Sequence, residues 1–474
     1  MRWLVLLSFL LICVLETCGS TGGSIVFLVL SQQDERSEHS SGKLVESLLQ
    51  QGRDGPDEEL MVLQSSSDFT DIVGGWAFWP LVTRLVVRFD GKESPSWLFL
   101  CEDRTRIDLK RLRAFLRSHD ATSKAYYGYG LVDASPTIIH HFSDRKAFLY
   151  PDFAAGVAFA WPTILWLKEM LETGTSPRDF TIDAKHELAL LLWNDGNGVS
   201  LTHVPEFCLL PEKGSDCISQ FQPPDYADCA GEEEEEDAVL FAVKTFHQYH
   251  KTRIVPLKRT WGVHALNIAY FSDSYDQYIP TINLGIENTE RGHCAKTEGI
   301  MRHFLTEQKW KDVRWLVITD DDTLISVPRL YRLLGCYDAA KPVMLGERYG
   351  YGFSKDGNSG YEYATGGAGM VFSRPAVKLL MDKCKCHAND SPDDMILGMC
   401  AKRQQLPVFH SAAFHQARPD DYAEQYLRRL PPISFHKHWE VDPYQVYAEW
   451  LHEEPKKTTK SKVVGKESPS HIEL

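Results

Sequence analysis

The chain has 474 residues, 43% hydrophobic and 24% charged, with a formal net charge of −14 at pH 7. This is a globular composition too long for one ordinary core, so roughly two to three domains are expected. The acidic balance excludes a broad polyanion-binding surface, and with it nucleic acid as a partner, while leaving room for a local basic pocket around a phosphate.

Residues 1–20 carry Arg2, an apolar run from Trp3 to Leu15, and small residues near Cys18 to Ser20. The run is shorter than the ~20 residues a membrane span needs, and it reads as a cleaved signal peptide. No later stretch can span a bilayer. A secretory route permits disulfides. Of 11 cysteines, Cys13 and Cys18 fall in the leader, and the odd remainder implies at least one free or intermolecular thiol. Cys208 and Cys217 flank a short loop and are expected to pair, and Cys101 is expected in the core. Cys384 and Cys386 read as disulfide or core residues, because C-x-C-H matches no standard structural zinc site.

Residues 24–230 open with the buried-strand pattern "SIVFLVLS" and form one predicted domain. "GEEEEED" at 231–237 is a block of like charge and is expected to be a solvated linker. A second domain, 238–455, begins again with "AVLFAVKTFHQYH". Apolar strand-length runs alternate with amphipathic helical runs in both, which predicts α/β domains with a mostly parallel buried sheet. Leu330, Leu333 and Leu334 share a predicted helical face behind Pro328. Residues 456–474 read as a flexible tail ending in "HIEL", a KDEL-type address. The expectation is a soluble protein of the endoplasmic reticulum lumen that meets a retrieval receptor.

The two halves repeat one another. "WLFLCEDRTRIDLKRLRAFL" from Trp97 parallels "WLVITDDDTLISVPRLYRLL" from Trp315. "DFAAGVAFAWPTILWL" parallels "TGGAGMVFSRPAVKLL", pairing Gly156 with Gly369 and Pro162 with Pro375. "IDAKHELALLLW" set beside "NDSPDDMILGMC" brings Glu187 onto Asp394. Three blocks in one order argue for duplication of a domain.

The chemistry-bearing residues lie in the second copy. An apolar strand ends in Asp320, Asp321 and Asp322, at the sheet edge where α/β ligand sites occur. Residues two apart in a strand point the same way, so Asp320 and Asp322 can face one hard cation, Mg²⁺ or Mn²⁺, of the kind shared with substrate phosphates. Such an ion stabilises a departing nucleoside diphosphate. The glycine- and tyrosine-rich run from Tyr349 to Gly369 reads either as a loop lining a sugar pocket or as a hairpin with glycine turns. In "NDSPDDMILG", Ser391 and Pro392 resemble a helix N-cap and first helical position, which would make Asp394 a capping residue. A carboxylate there is also placed to act as a general base. His436 or His438 in "SFHKHW" can supply a third, nitrogen metal ligand.

Together "FAVKTFHQYH", "RTWG", "YFSDSYD", "WLVITDDDT", "TGGAGMVFS", "PDDMILG" and "FHKHW" resemble the Fringe-like inverting β-1,3-glycosyltransferases, over residues 238–450. The resemblance implies a GT-A (Rossmann-like, nucleotide-sugar) fold for this copy; with the internal repeat, the expectation is two tandem GT-A-like α/β domains, the N-terminal copy degenerate. It implies a UDP-sugar donor, Mn²⁺ on Asp320, Asp322 and His436, and Asp394 as base. It places Thr245, Arg259, Asp273, Asp321, Gly366 and Gly367 around the donor. "GERYGYGFSKDGNSGYEYATGGAGMVFS" and "SFHKHWEVDP" are most similar to the branch acting on O-linked fucose of folded thrombospondin type 1 repeats, with UDP-glucose as donor. In the first copy the acidic cluster reads Glu102, Asp103, Arg104, and a guanidinium cannot ligate a metal. That copy is expected to be non-catalytic. Transfer of GlcNAc or galactose by the same machinery, or glycan binding without transfer, are the other functions this pattern allows.

Overall fold

A computed structural model describes residues 24–53, 60–143, 145, 147–174, 179–211, 214–224, 233–437 and 440–453. The predicted leader, the HIEL tail and His438 lie outside the described residues.

Each half is built on one central sheet. The N-terminal sheet holds β1 (Ile25–Leu30), β2 (Met61–Gln64), β3 (Trp97–Glu102), β5 (Tyr126–Gly128), β6 (Val157–Ala160) and β7 (Thr202–His203), in the order β7-β5-β6-β3-β1-β2. A short strand β4 (Thr105–Ile107) follows β3 and pairs antiparallel with β8 (Ser219–Phe221). The C-terminal sheet holds β9 (Val239–Lys244), β10 (Asn267–Ser272), β11 (Trp315–Asp320), β13 (Met344–Gly346), β14 (Met370–Ser373) and β15 (Val408–His410). Its order is β15-β13-β14-β11-β9-β10, extended at the far edge by Ile282–Asn283. Here β12 (Thr323–Ile325) pairs antiparallel with β16 (Ser434–His436).

Order and strand sense therefore coincide in the two halves. In each, three parallel strands are followed by one reversed strand, β6 or β14, antiparallel to both its neighbours. The sheets are thus mostly parallel, as expected, and each is made mixed by one reversed strand. The reversed strands are buried along their whole length, so they show the unbroken apolar run of a parallel strand and no alternation that would betray direction. Gly156 and Gly369, which lead into them, both have positive φ, 92° and 98°. Only glycine takes such a conformation without strain.

Alternation along the strands fills two cores per half. Val26, Leu28 and Leu30 face one side of the N-terminal sheet, and Ile25, Phe27 and Val29 the other. Val239, Phe241 and Val243 face one side of the C-terminal sheet, and Leu240 and Ala242 the other. The helix Val327–Leu334 buries Leu330, Leu333 and Leu334, as its spacing predicts.

The halves are packed together. Phe180–Thr181 adds as an antiparallel strand to Arg348–Tyr351, which pairs in turn with Tyr361–Ala364. The glycine- and tyrosine-rich run is therefore a hairpin. Ile139 joins the C-terminal core, and Arg429 reaches Asp152 of the N-terminal half at 2.8 Å. The acidic linker is only partly solvated: Glu234 accepts from Trp315 Nε1 at 2.6 Å and pairs with Arg314.

Cys208–Cys217, Cys294–Cys386 and Cys384–Cys400 are disulfides, and Cys101 is a buried free thiol. No described helix is long and apolar enough to cross a membrane.

Candidate active site

The site lies where β9, β10 and β11 end together. β11 delivers Asp320 as its last residue, and β12 returns the chain beside β16, whose register sets His436 opposite Thr323. Ligand atoms of Asp320, Asp322 and His436 all lie within 4.8 Å of one another. His436 Nε2 is 3.1 Å from Asp322 Oδ1 and 3.5 Å from Asp320 Oδ2. His436 Nδ1 donates to the Gln416 carbonyl at 3.0 Å, which leaves Nε2 to face the carboxylates. Two carboxylates and one oriented imidazole form a donor set that fits a divalent cation with open positions for a substrate. Without the ion, burial lowers the His436 pKa, but the Asp322 and Asp320 charges win and push it up to about 10.

Surrounding residues hold this set in shape. Thr323 Oγ1 donates to the Gly367 carbonyl at 2.8 Å, tying the acidic strand to the TGGAG turn. A Cβ on Gly367 would stand 2.3 Å from the His436 ring, so only glycine lets that turn approach. Trp261 of the RTWG motif is buried and donates its indole N–H to the Thr323 carbonyl at 2.9 Å.

Asp321 points elsewhere, as two-residue alternation predicts. It accepts from Thr245 Oγ1 at 2.7 Å and from Arg253 at 3.1 Å. Arg253 also lies 2.8 Å from Asp322. Arg259 is exposed at the end of its helix, so the arginine at the cluster is Arg253, six residues earlier. Asp273 accepts from the His247 backbone N–H and ring, both at 2.9 Å, joining the loops after β9 and β10.

Lys244 ends β9 directly beside Asp320. Its buried ammonium lies 3.1 Å from Asp320 and 2.7 Å from Asp393. Burial opposes the Lys244 charge, but the two aspartates outweigh it and raise its pKa. Burial alone would raise Asp320, yet Lys244 and His436 hold it well below the usual carboxylate range. Sequence reasoning missed Lys244; the signal was a lysine closing an otherwise apolar strand.

Asp394 is the second residue of the helix Asp393–Arg403. Its carboxylate accepts from Gly366 N–H at 3.2 Å and Met395 N–H at 2.8 Å. Ser391 does not cap this helix; its Oγ accepts from Ala388 N–H, and Pro392 occupies the cap position. Burial, then the neighbouring Asp393 charge, push the Asp394 pKa up to about 6. The Asp394 charge also adds to the burial that raises Tyr361 and Tyr363 of the hairpin. A partly buried carboxyl poised near neutrality beside a metal-ligand cluster suits proton abstraction from a hydroxyl.

The equivalent place in the N-terminal half is built differently. Register puts Glu102 opposite Leu30, as Asp320 stands opposite Lys244. Two residues on, Arg104 stands where Asp322 does. Phe221 faces Thr105 as His436 faces Thr323. Lys185 is second in its helix, as Asp394 is in its own. Glu187 instead accepts from Ile182 N–H at 2.6 Å, behind the Asp183 N-cap. The Arg429 guanidinium of the other half enters this space, 5.0 Å from the Phe221 ring and bonded to Asp152. A further group, Asp133, His140 and His186, also brings ligand atoms together. There the two His140 ring nitrogens already meet Asp133 at 2.6 Å and Asp183 at 3.3 Å.

Two aspartates and a histidine that could hold a metal ion, with a carboxyl of raised pKa beside them, lie at the carboxyl edge of the sheet, and the sequence comparisons give the class, a glycosyltransferase. The Fringe-like family profile matches residues 234–457. The chain is 43% identical over 431 residues to a mouse (Mus musculus) beta-1,3-glucosyltransferase, covering 90% of this chain and 86% of that protein. The human (Homo sapiens) protein of the same name is 44% identical, at 90% and 84% coverage. A Xenopus laevis glycoprotein-N-acetylgalactosamine 3-beta-galactosyltransferase 1 is 29% identical, covering 45% of this chain and 54% of its own length. The chain belongs to the Fringe-like glycosyltransferase family, in the group of the beta-1,3-glucosyltransferases.

Proposed function

We propose that the protein transfers glucose from UDP-glucose, with inversion, to the 3-hydroxyl of O-linked fucose on folded thrombospondin type 1 repeats. The observation that carries transfer, rather than binding alone, is Asp394. It is a carboxyl of raised pKa held by two backbone N–H groups at the edge of the Asp320, Asp322 and His436 cluster. Names of relatives similar over 90% of the chain support glucose as the donated sugar.

In this reading Asp394 takes the proton from the acceptor hydroxyl as it attacks the anomeric carbon from the face opposite UDP. Asp320, Asp322 and His436 would hold a divalent cation, Mn²⁺ by preference, which when bound supplies positive charge for the departing diphosphate. Thr245 and Asp273 line the nucleoside side, and Gly366 and Gly367 let the backbone come close to the sugar. Lys244 and Arg253 fix the carboxylates and balance their charge. The N-terminal half is a GT-A-like copy without catalysis, as its shared strand order and its Arg104, Phe221 and Lys185 substitutions suggest. The leader and HIEL tail, with the glycoprotein acceptor, fit the endoplasmic reticulum lumen and recovery by a retrieval receptor.

The test is a donor panel. Full-length protein, Mn²⁺ and a folded O-fucosylated repeat are incubated with UDP-glucose, UDP-GlcNAc or UDP-galactose, and product mass is read. A hexose added from UDP-glucose alone is expected. Transfer from another donor would overturn the donor assignment, and UDP binding without any transfer would favour a glycan-binding role.

A further inference from the structure

The N-terminal sheet has its own crevice, and it is not closed. Where β1 and β2 end, a cavity of about 300 Å³ opens between the halves. It is walled by Ser31, Gln32, Ser66 and Trp76 from one half and by Arg348 and Glu362 from the other. A smaller cavity of about 130 Å³ shares Ser31, Gln32, Trp76 and Arg348 and runs inward to Glu102 and Asp103. The position is not arbitrary. Ser31 follows β1 as Thr245 follows β9, and Ser65 follows β2 as Asp273 follows β10. Open α/β sheets bind ligands in this crevice.

The lining is held in place by contacts within each half and across the two. Gln32 donates to the His410 carbonyl at 3.1 Å and accepts from His410 N–H at 2.7 Å. Ser31 and Ser66 hydroxyls are 2.7 Å apart. The Arg348 guanidinium lies 4.9 Å from the Trp76 ring centroid and 3.7 Å from Glu362. The walls therefore present hydroxyls, amides and an indole beside apolar side chains such as Phe69, Ile72 and Val408, with charges of both signs already close to one another. A metal-bound diphosphate is not held here as in the other half, because Arg104 and Phe221 stand in the place of the metal ligands, and Glu102 and Asp103 line the inner end. Hydroxyl-rich neutral ligands suit such a surface, and the volume matches the small end of ligand pockets.

The geometry points to a second carbohydrate site: the crevice between the halves binds a neutral mono- or disaccharide, without metal and without chemistry. Lys402 lines the same cavity and lies eight residues along one helix from Asp394, about 12 Å away. A glycan held there can belong to the acceptor whose fucose is at Asp394. The position relative to the acceptor rests on the proposed function, but the binding itself does not.

The experiment uses the full chain with saturating UDP and Mn²⁺, and saturation-transfer NMR of methyl α-fucoside, methyl β-glucoside and the glucosyl-β-1,3-fucose methyl glycoside. Two cavity-filling variants, Ser66→Trp and Thr70→Trp, are compared with the parent and with Asp394→Asn. Saturable sugar binding is expected in the parent and in Asp394→Asn, weakened at least ~tenfold in both filled variants, with UDP affinity unchanged. Thr70 is on the exposed rim, so Thr70→Trp decides the matter if Ser66→Trp does not fold. Tighter binding of the same sugar on a folded repeat would assign the ligand to the acceptor, and equal binding to free saccharide. No saturable binding, binding untouched by the filled variants, or loss of UDP affinity in them would overturn the site. Failure of the donor panel would remove the transferase reading and leave this binding result standing.

Discussion

Arg429→Met tests how the two halves depend on one another. Arg429 and Asp152 are 3% and 0% exposed, and their contact of 2.8 Å crosses from one half to the other. The same guanidinium lies 4.3 Å from the Tyr426 ring centroid and opposes the burial that raises Glu102. Without Arg429, the Asp152 carboxylate keeps the Ala154 N–H at 2.9 Å, and its other oxygen already lacks a partner among the described residues. Removing one member of a buried pair leaves an uncompensated charge and costs about 3–5 kcal/mol. Adding Asp152→Asn removes that charge, so the double variant should regain part of the loss. Urea unfolding of the full chain reads the effect as a lower transition midpoint at unchanged slope. A loss below about 1 kcal/mol in Arg429→Met, or no recovery in the double variant, would refute the reasoning.

Three further outcomes are expected. Gly367→Ala should leave the fold intact and weaken Mn²⁺-dependent UDP binding, because the added Cβ displaces the His436 ring; calorimetric titration checks it. As the proposed base, Asp394 would work only when deprotonated, and its pKa is raised from 3.8 to about 6, so the rate of transfer should fall as pH drops through about 6; a pH profile flat down to pH 5 would contradict the assignment. Cys294–Cys386 closes a 92-residue separation and ties the start of one helix to the segment before Asp394; Cys294→Ala with Cys386→Ala should cost about 2–4 kcal/mol in denaturant unfolding.

The parts of the site that lie close in sequence were legible. Asp320 and Asp322 follow an apolar strand, and period-two geometry separates them from Asp321. Pairing between distant strands was less accessible: only the register of β12 with β16 brings His436 to the aspartates. The same rule hides Phe221, which sits at the equivalent register place far from the Glu102 cluster. Lys244 was hidden because a buried lysine is intelligible only through its partners, Asp320 and the distant Asp393. The expected Ser391 cap failed because Pro392 takes the cap position and the Ser391 hydroxyl accepts from Ala388 N–H instead. Strand direction was not readable, since β14 is buried on both faces whichever way it runs. The shared chain order of the two halves was readable as repeated text, and the structure shows the same strand order and sense in both.

The most direct test of the account compares wild type with Asp394→Asn in glucose transfer from UDP-glucose to a fucosylated repeat, alongside UDP affinity measured with Mn²⁺. The account predicts a rate loss of about 10²–10⁴-fold with UDP affinity unchanged. Transfer at the wild-type rate in Asp394→Asn would contradict it.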